Sequence, residues 1–194
     1  MALGSPIVLA VGLGDGTAIT AAARTSMTAG ALATTSRVNL QPNTFRTKDV
    51  LNLKATGRIS SVVTTPGTAL FDLAFGTSLG VAVMSTGAIL LDSVAAHTNV
   101  GWILDLWGTV RTEGNAANIM WAGTWTCEDI LGVAATAPKA AAVAILPWNT
   151  PPVVGANFDN TIVQPIDLNF TQTAATGSCQ LHQYVLTLYT ATGF

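Results

Sequence analysis

Residues Thr98–Cys127 carry the sequence TNVGWILDLWGTVRTEGNAANIMWAGTWTC. On both sides of a polar break at Thr112–Asn118, which contains Glu113, Gly114 and Asn115, one set of alternate positions is largely apolar. A period of two is typical of a β-strand with one buried face, and two such runs joined by a short polar loop predict a long β-hairpin. The residues predicted to share the buried face are Trp102, Leu104, Leu106, Gly108, Val110, Ile119, Trp121, Gly123, Trp125 and Cys127.

The hairpin contains four of the five tryptophans of the 194-residue chain. Because each tryptophan can bury roughly 150–250 Å² of surface, we expect the hairpin to form the centre of a β-sandwich. Further alternating runs predict strands at Val50–Val63, Ala69–Phe75, Val81–Met84, Ile89–Val94, Thr161–Thr173 and Ser178–Tyr189. The total of about eight antiparallel strands over residues 39–190 predicts an all-β, jelly-roll-like sandwich. The turn at Thr173–Gly177 is expected to join the last two strands as a second hairpin.

The first 38 residues differ in composition from the rest of the chain. They are rich in Ala, Thr, Gly and Ser, so they bury little apolar area for each residue that is ordered. We therefore divide the chain into an extended or partly helical N-terminal arm at residues 1–38 and a β-sandwich domain at residues 39–194. The arm is expected to be disordered alone or to order against a neighbouring subunit, and Thr20–Leu32 is a candidate for a short Ala-rich helix.

The low charge of the chain indicates association. Charged residues make up 9% of the sequence, against about 25% in globular proteins, and the mean hydropathy is +0.48. Because a soluble monomer keeps a charged surface, this composition indicates a chain that hides much of its surface in an assembly. The net charge of −2 and the scattered Lys and Arg residues argue against a nucleic-acid partner, which requires clustered cations.

The sequence also predicts where the protein folds. No apolar run approaches the roughly 20 residues that span a bilayer, so we expect no membrane partner. The first twenty residues contain no Lys or Arg, which argues against a secretory signal and predicts folding in the cytoplasm of the cell that makes the protein. In that compartment Cys127 and Cys179 are expected to be buried free thiols, with a disulfide between them as the alternative.

The sharpest catalytic pattern is Gly76-Thr-Ser78-Leu-Gly80, which satisfies the G-x-S-x-G spacing of a nucleophile elbow. A Ser–Asp–His order would follow from Ser78, one of Asp105, Asp159 or Asp167, and His182. An elbow requires a strand, a tight turn and a helix, whereas here the pattern joins two β-runs. We therefore interpret it as a hairpin turn and keep a serine hydrolase as the weak alternative.

Other candidate patterns are weaker still. Gly12-x-Gly14-x-Gly16 lacks the spacing and the βαβ context of a dinucleotide site, and neither His97 nor His182 has neighbours at ligand spacing. An acidic metal site at a three-fold axis and a tryptophan platform for sugars remain as alternatives. We assign no catalytic, cofactor-binding or metal-binding residues. The acidic residues in apolar strand contexts are Asp72, Asp92, Asp105 and Asp167.

Several phrases of the sequence resemble those of one protein class. They are Ala22–Ser26, Arg58–Gly67, Phe71–Leu73, Phe75–Gly76, Trp102–Leu106, Val110–Thr112 and Leu181–Tyr184. In these phrases the chain is similar to virion structural proteins of tailed bacteriophages and prophages, among them the jelly-roll capsid cement, or decoration, proteins. The resemblance covers the chain from about residue 20 and identifies no contact residues.

The resemblance implies a homotrimer on the lattice of the phage major capsid protein. Such a subunit stabilises the head from the outer surface of the capsid and has neither a cofactor nor a catalytic activity. The N-terminal arm is then expected to lie across adjacent capsid subunits. The main alternative is a tail or head-fibre attachment protein that binds a host receptor or a glycan.

Overall fold

A computed structural model of the protein describes residues 3–28, 38–76, 79–132 and 141–191. Within these ranges it contains β-strands and a single turn of 3₁₀ helix at Gly114–Ala116. The strands are β1 (Leu3–Leu13), β2 (Thr25–Ser26), β3 (Val38–Leu40), β4 (Val50–Ser61), β5 (Thr68–Phe75), β6 (Val81–Ser85), β7 (Ile89–Leu90), β8 (His97–Thr112), β9 (Asn118–Leu131), β10 (Ala141–Leu146), β11 (Val153–Val154), β12 (Gln164–Gln172) and β13 (Ser178–Ala191).

The strands form two antiparallel sheets. The large sheet has the order β1-β13-β4-β8-β9-β10, and β11 pairs with β9 beyond the end of β10. The small sheet has the order β2-β12-β5-β6, with β3 on β12 and β7 on β5. The two sheets pack face to face, and one continuous hydrophobic core lies between them.

The connections between the sheets are those of a jelly roll. The chain passes from β1 in the large sheet to β2 and β3 in the small sheet, returns in β4, crosses again to β5, and repeats this path through to β13. The resulting orders, β1-β13-β4-β8 and β3-β12-β5-β6, are the two four-stranded sheets of two interlocked Greek keys. The predicted all-β sandwich is confirmed, and β9, β10 and β11 widen its large sheet.

The central hairpin has the predicted register. β8 and β9 pair from Trp102 opposite Cys127 to Thr112 opposite Asn118. Every position predicted for the inner face is buried, except Gly123, which is half-buried. The hairpin lies inside the large sheet, between β4 and β10, because both of its edges are hydrogen-bonded to further strands.

Aromatic rings fill the centre of the core. Phe71 of β5 projects from the small sheet, and its ring centroid lies 4.9 Å from that of Trp102 and 5.5 Å from that of Trp125. The Phe170 ring of β12 lies beside it at 5.1 Å. Trp102 and Trp125 therefore join the two sheets, since both pack against Phe71 of the opposite layer.

The last two strands do not form the predicted hairpin. β12 pairs with strands of the small sheet and β13 pairs with β1 and β4 of the large sheet. The turn at Thr173–Gly177 therefore carries the chain across the sandwich, a distance of about 10 Å between packed sheets. A short connection is compatible with either arrangement, so the turn sequence alone does not decide which strands pair.

The beginning of the chain belongs to the sandwich. β1 forms the edge of the large sheet through its pairing with β13, and Ile19 forms an isolated bridge to Cys179. β2 then pairs with β12 at the edge of the small sheet. Ala10, Ile19 and Met27 are buried in the core. Residues 3–28 of the predicted arm are thus extended, and they pack against the chain's own strands.

The predicted helix at Thr20–Leu32 is not formed in residues 20–28, where the chain is irregular apart from β2. The backbone amide of Met27 instead donates to the carbonyl of Leu168. Tertiary pairing has overridden the helix propensity of the alanines, as it commonly does for weak propensities. The rest of the candidate helix falls in residues 29–37, which lie outside the described residues.

Candidate interaction face

The outer face of the large sheet is formed by side chains that point away from the small sheet. Along each strand, side chains alternate between this outer face and the buried face. The odd-numbered residues of β8 from Gly101 to Thr109 therefore belong to the outer face. In one cross-strand row, Thr56 pairs with Ile103, Ile103 with Thr126, and Thr126 with Val143. The large apolar side chains exposed on this face are Val8, Ile103, Trp107, Val143 and Ile145.

Trp107 and Tyr189 stack on this face. Their ring centroids lie 5.8 Å apart and the rings are inclined by 26°. Trp107 is 43% exposed, in contrast to Trp102 at 2% and Trp125 at 0%, because it occupies an odd position of β8. A stacked aromatic pair left open to solvent on a sheet is typical of a contact surface.

Charges are few on the outer face. Lys54 lies 3.5 Å from the Asp105 carboxylate, and the Asn52 side-chain amide donates to the same carboxylate over 2.8 Å. Asp105 is therefore neutralised and hydrogen-bonded within the face. It is one of the three carboxylates considered for the weak hydrolase alternative, and its partners here are a lysine and an asparagine.

A trough of about 860 Å³ opens at one end of the outer face. Gly101 lies in it, and a side chain placed on that glycine would meet no atom within 4 Å. Arg58 pairs with Gly101 across the β4–β8 ladder, while Glu128 follows Cys127 at the end of the β8–β9 ladder. Both charged side chains are exposed and line the trough, with Gly101 between them. Sequence patterns alone do not single out these residues, because their proximity depends on strand register.

Part of the outer face of the small sheet is covered by the chain itself. Asp72 and Asp167, both 1% exposed, lie there under the segment that follows β1. Arg24 of that segment donates from Nε to the Asp72 carboxylate over 2.9 Å, and this hydrogen bond is the main reason that the pKa of Arg24 is raised. Asp167 accepts hydrogen bonds from the Ser26 and Thr28 hydroxyls.

Asp72 and Asp167, two of the four acidic residues singled out from the sequence, are therefore neighbours, but within the described part of the chain they form no metal site. Arg24 is close enough to both Asp72 and Asp167 for each to raise its pKa, so the cluster already contains its cation. In the described ranges no three His, Cys, Asp or Glu residues are grouped so as to hold a metal ion. The expectation of an acidic site formed between subunits is not tested by a single chain.

His182 is paired with Asp15 through its Nδ1 atom. None of the three carboxylates considered for a Ser–Asp–His triad contacts it in this way, since Asp159 instead accepts hydrogen bonds from Thr161 and Asp167 contacts Ser26 and Thr28. Ser78 lies outside the described residues. Of the triad considered under the weak hydrolase alternative, the structure thus describes His182 paired with Asp15 and the three aspartates with other partners.

His97 and Asp92 form the second histidine–carboxylate pair, with 3.0 Å between His97 Nε2 and Asp92 Oδ2. Burial opposes the charge of Asp92, but hydrogen bonds from His97 and from the Val94 and Ala95 amides outweigh it and lower the pKa of Asp92. These contacts curl the chain into a turn directly after Leu90. The strand predicted at Ile89–Val94 ends early for this reason.

The remaining candidates are structural. Cys127 and Cys179 are buried and not joined in a disulfide, and burial raises the pKa of the Cys179 thiol. The glycine-rich segment from Gly12 continues the β1–β13 ladder, and the amide of Gly16 donates to the carbonyl of Leu181. No helix in the described part of the chain has the length and hydrophobicity needed to cross a membrane.

Comparison with known proteins adds little to this description. No protein-family model matches the chain, and no curated protein matches it. Among solved structures, it is similar to the CBM2 module of the evolved Dit protein of Lactobacillus casei BL23 phage J-1, with 8% sequence identity and a TM-score of 0.29. The similarity covers 81% of this chain and 70% of that one, and at this level it does not bear on function.

Proposed function

We propose that this chain is a virion structural protein of a tailed bacteriophage that decorates the head. In this role it packs against copies of itself and against the major capsid protein, on the outer surface of the capsid. It carries out no catalysis. The observation that supports the proposal best is the outer face of the large sheet, which is six strands wide and bears exposed apolar side chains.

The composition of the face suits a permanent contact. Ile145 on β10 is 77% exposed and Ile103 on β8 is 52% exposed, and Thr124 and Thr126 of β9 lie between them. Exposed apolar patches larger than a few hundred Å² mark interaction sites in soluble proteins. The sequence resemblance to capsid decoration proteins supports the choice of the phage shell and implies trimers at its three-fold positions.

The first test is the number of copies in purified virus particles, measured by quantitative mass spectrometry against the major capsid protein. A decoration protein is expected near the copy number of the capsid subunit. A few copies per particle would instead favour the tail or head-fibre attachment protein. Absence from particles would overturn both forms of the proposal.

A second test asks whether the outer face makes the contact. Ile145→Asp places a charge on the face, whereas Val94→Asp places one in the loop before β8, where the native side chain is 63% exposed. We expect Ile145→Asp to weaken binding between copies of the purified protein, measured by size-exclusion chromatography with light scattering, because the charge would be buried in the contact. Val94→Asp is expected to bind as the wild type does, and equal binding of both variants would contradict the assignment.

A further inference from the structure

The trough on the outer face contains a charge pair that is split by a glycine. Arg58, Gly101 and Glu128 come from three adjacent strands, and neighbouring strands lie about 4.8 Å apart. The Arg58 and Glu128 backbones are therefore about 10 Å apart across the trough. Among the described residues, neither side chain has a hydrogen bond or an ion-pair partner.

The space between Arg58 and Glu128 is open at Gly101, which has no side chain. Any side chain there would project into open space, so the trough exists because this residue has none. Opposite charges held apart over an open trough can each accept a partner from outside. The two charges together are neutral, which disfavours a polyanion or a polycation as that partner.

The arrangement is self-complementary about one particular axis. Consider a two-fold axis that runs parallel to β8, above Gly101, between two copies whose outer faces meet. Rotation about it leaves each position along β8 unchanged and exchanges the β4 side with the β9 side. Arg58 of each copy then faces Glu128 of the other, which gives two ion pairs across the contact.

We propose that the outer face of the large sheet pairs with the same face of a second copy of this chain, about a two-fold axis parallel to β8. Two-fold interfaces are isologous, so one patch must complement itself, and this patch does. The proposal rests on the self-association contained in the proposed function and names the surface that carries it.

The rest of the face agrees with the same axis. Ile103 lies on β8, so it meets its own copy across the axis, and Thr56 faces Thr126 in the same row. Asp105 also meets its own copy, but each carboxylate is neutralised by Lys54 of its own chain.

The area is sufficient for a specific contact. With the axis over β8, the five strands from β13 to β10 overlap with their copies. Four spacings of about 4.8 Å and eight residue steps from Gly101 to Thr109 at about 3.3 Å then define a footprint of about 19 Å by 26 Å. With the corrugation of side chains, both partners together bury about 1,200 Å², which is the lower limit of standard interfaces. The apolar side chains exposed on the face fall within or beside this footprint.

The pairing predicts an even number of chains in solution. If no other surface associates, the species is a dimer, and if the trimer implied by the resemblance forms through other surfaces, two trimers pair to give a hexamer. We would measure the mass by size-exclusion chromatography with light scattering at about 10 and 100 μM, a range that detects micromolar association. A monomer or a trimer at both concentrations would overturn the proposal.

Charge reversal identifies the contact. Arg58→Glu and Glu128→Arg are each expected to raise the dissociation constant of the pairing about tenfold or more, because each places like charges opposite one another twice. The double variant Arg58→Glu/Glu128→Arg restores both ion pairs with exchanged partners, so it is expected to associate as the wild type does. Arg46→Glu, in the exposed loop before β4, is the control and is expected to leave the association unchanged.

The other outcomes are also decisive. An even-numbered species that is insensitive to both single reversals would place the contact elsewhere and overturn this axis. Single reversals that leave the mass unchanged but abolish binding to heads would place the capsid on this face, which overturns the pairing while supporting the proposed function. If circular dichroism shows that the double variant is folded but it does not regain the association of the wild type, the result would contradict the pairing of Arg58 with Glu128 of the other copy.

Discussion

Arg24 and Asp72 form a two-point ion pair between segments 48 residues apart in sequence. The guanidinium uses Nε and Nη2 on the two carboxylate oxygens, and its Nη1 donates to the carbonyls of Leu79 and Gly80. The pair fastens the segment after β1 to the small sheet. Because Asp72 is almost fully buried, it depends on this one cation.

Arg24→Met is expected to lower the free energy of unfolding by about 3–5 kcal/mol, since it leaves a buried carboxylate without its cation. The measurement is urea denaturation at pH 7. Lys54→Met is the control, because the Lys54–Asp105 pair is exposed and such pairs contribute about 0–1 kcal/mol. Equal losses for the two variants would contradict a structural role for the Arg24 pair.

Gly57 and Gly101 are expected to respond oppositely to alanine. A Cβ on Gly57 would lie 1.9 Å from the carbonyl oxygen of Gln180 and 2.6 Å from the Trp102 ring, whereas one on Gly101 meets nothing. Gly57→Ala is expected to cost about 3 kcal/mol or more, because backbone atoms must move. Gly101→Ala is expected to be neutral or to stabilise by up to about 1 kcal/mol through the unfolded state. Thermal unfolding of the two variants tests the contrast.

The tryptophans of the hairpin separate into two classes. Trp125→Ala is expected to cost about 3–5 kcal/mol, because the ring is buried against Phe71. Trp107→Ala is expected to cost about 1 kcal/mol or less in stability, since its ring is 43% exposed and stacks on Tyr189 at the surface. Chemical denaturation gives both values, and a large loss for Trp107→Ala would show that the outer face belongs to the folding core.

The local sequence pattern was sufficient to predict the hairpin, but not the strands and side chains that surround it. The alternation around Trp102 and Trp125 predicts which side is buried, because a period of two allows only two faces. It does not predict that Arg58 and Glu128 flank Gly101, since that depends on the register of three strands. It also missed β1, where a small-residue segment gains its order from hydrogen bonds to β13 rather than from its own apolar area.

Asp92 is expected to make stability depend on pH. Its pKa lies below the ordinary value, so its stabilising effect is complete above the unfolded pKa of about 3.9 and is lost as the pH falls through the lower folded pKa. Asp92→Asn is expected to cost about 1–2 kcal/mol at pH 7 and to approach the wild type in acid. Free energies of unfolding at pH 7, 5 and 3, each measured for both proteins, provide the test. A gap that does not narrow in acid would contradict it.

Removal of β1 is expected to unfold the protein, whereas removal of a separate N-terminal arm would leave the sandwich folded. Deleting residues 1–13 leaves the β13 edge unpaired and removes Ala10 from the core. We expect the truncated chain to lose its cooperative thermal transition or to aggregate through the exposed edge of β13. A truncated protein with wild-type melting behaviour would show that the strand contributes nothing to the sandwich.

The pairing of β1 with β13 also determines when the large sheet can be completed during synthesis of the chain. Strands so distant along the chain meet late, because closing a long loop is entropically costly before its contacts form. During synthesis, β1 emerges before β13 and remains without its neighbour until β13 has been made. The broad sheet can then acquire its full width only after β13 has been synthesised, and until that point the β4 edge that β13 will cover stays unpaired.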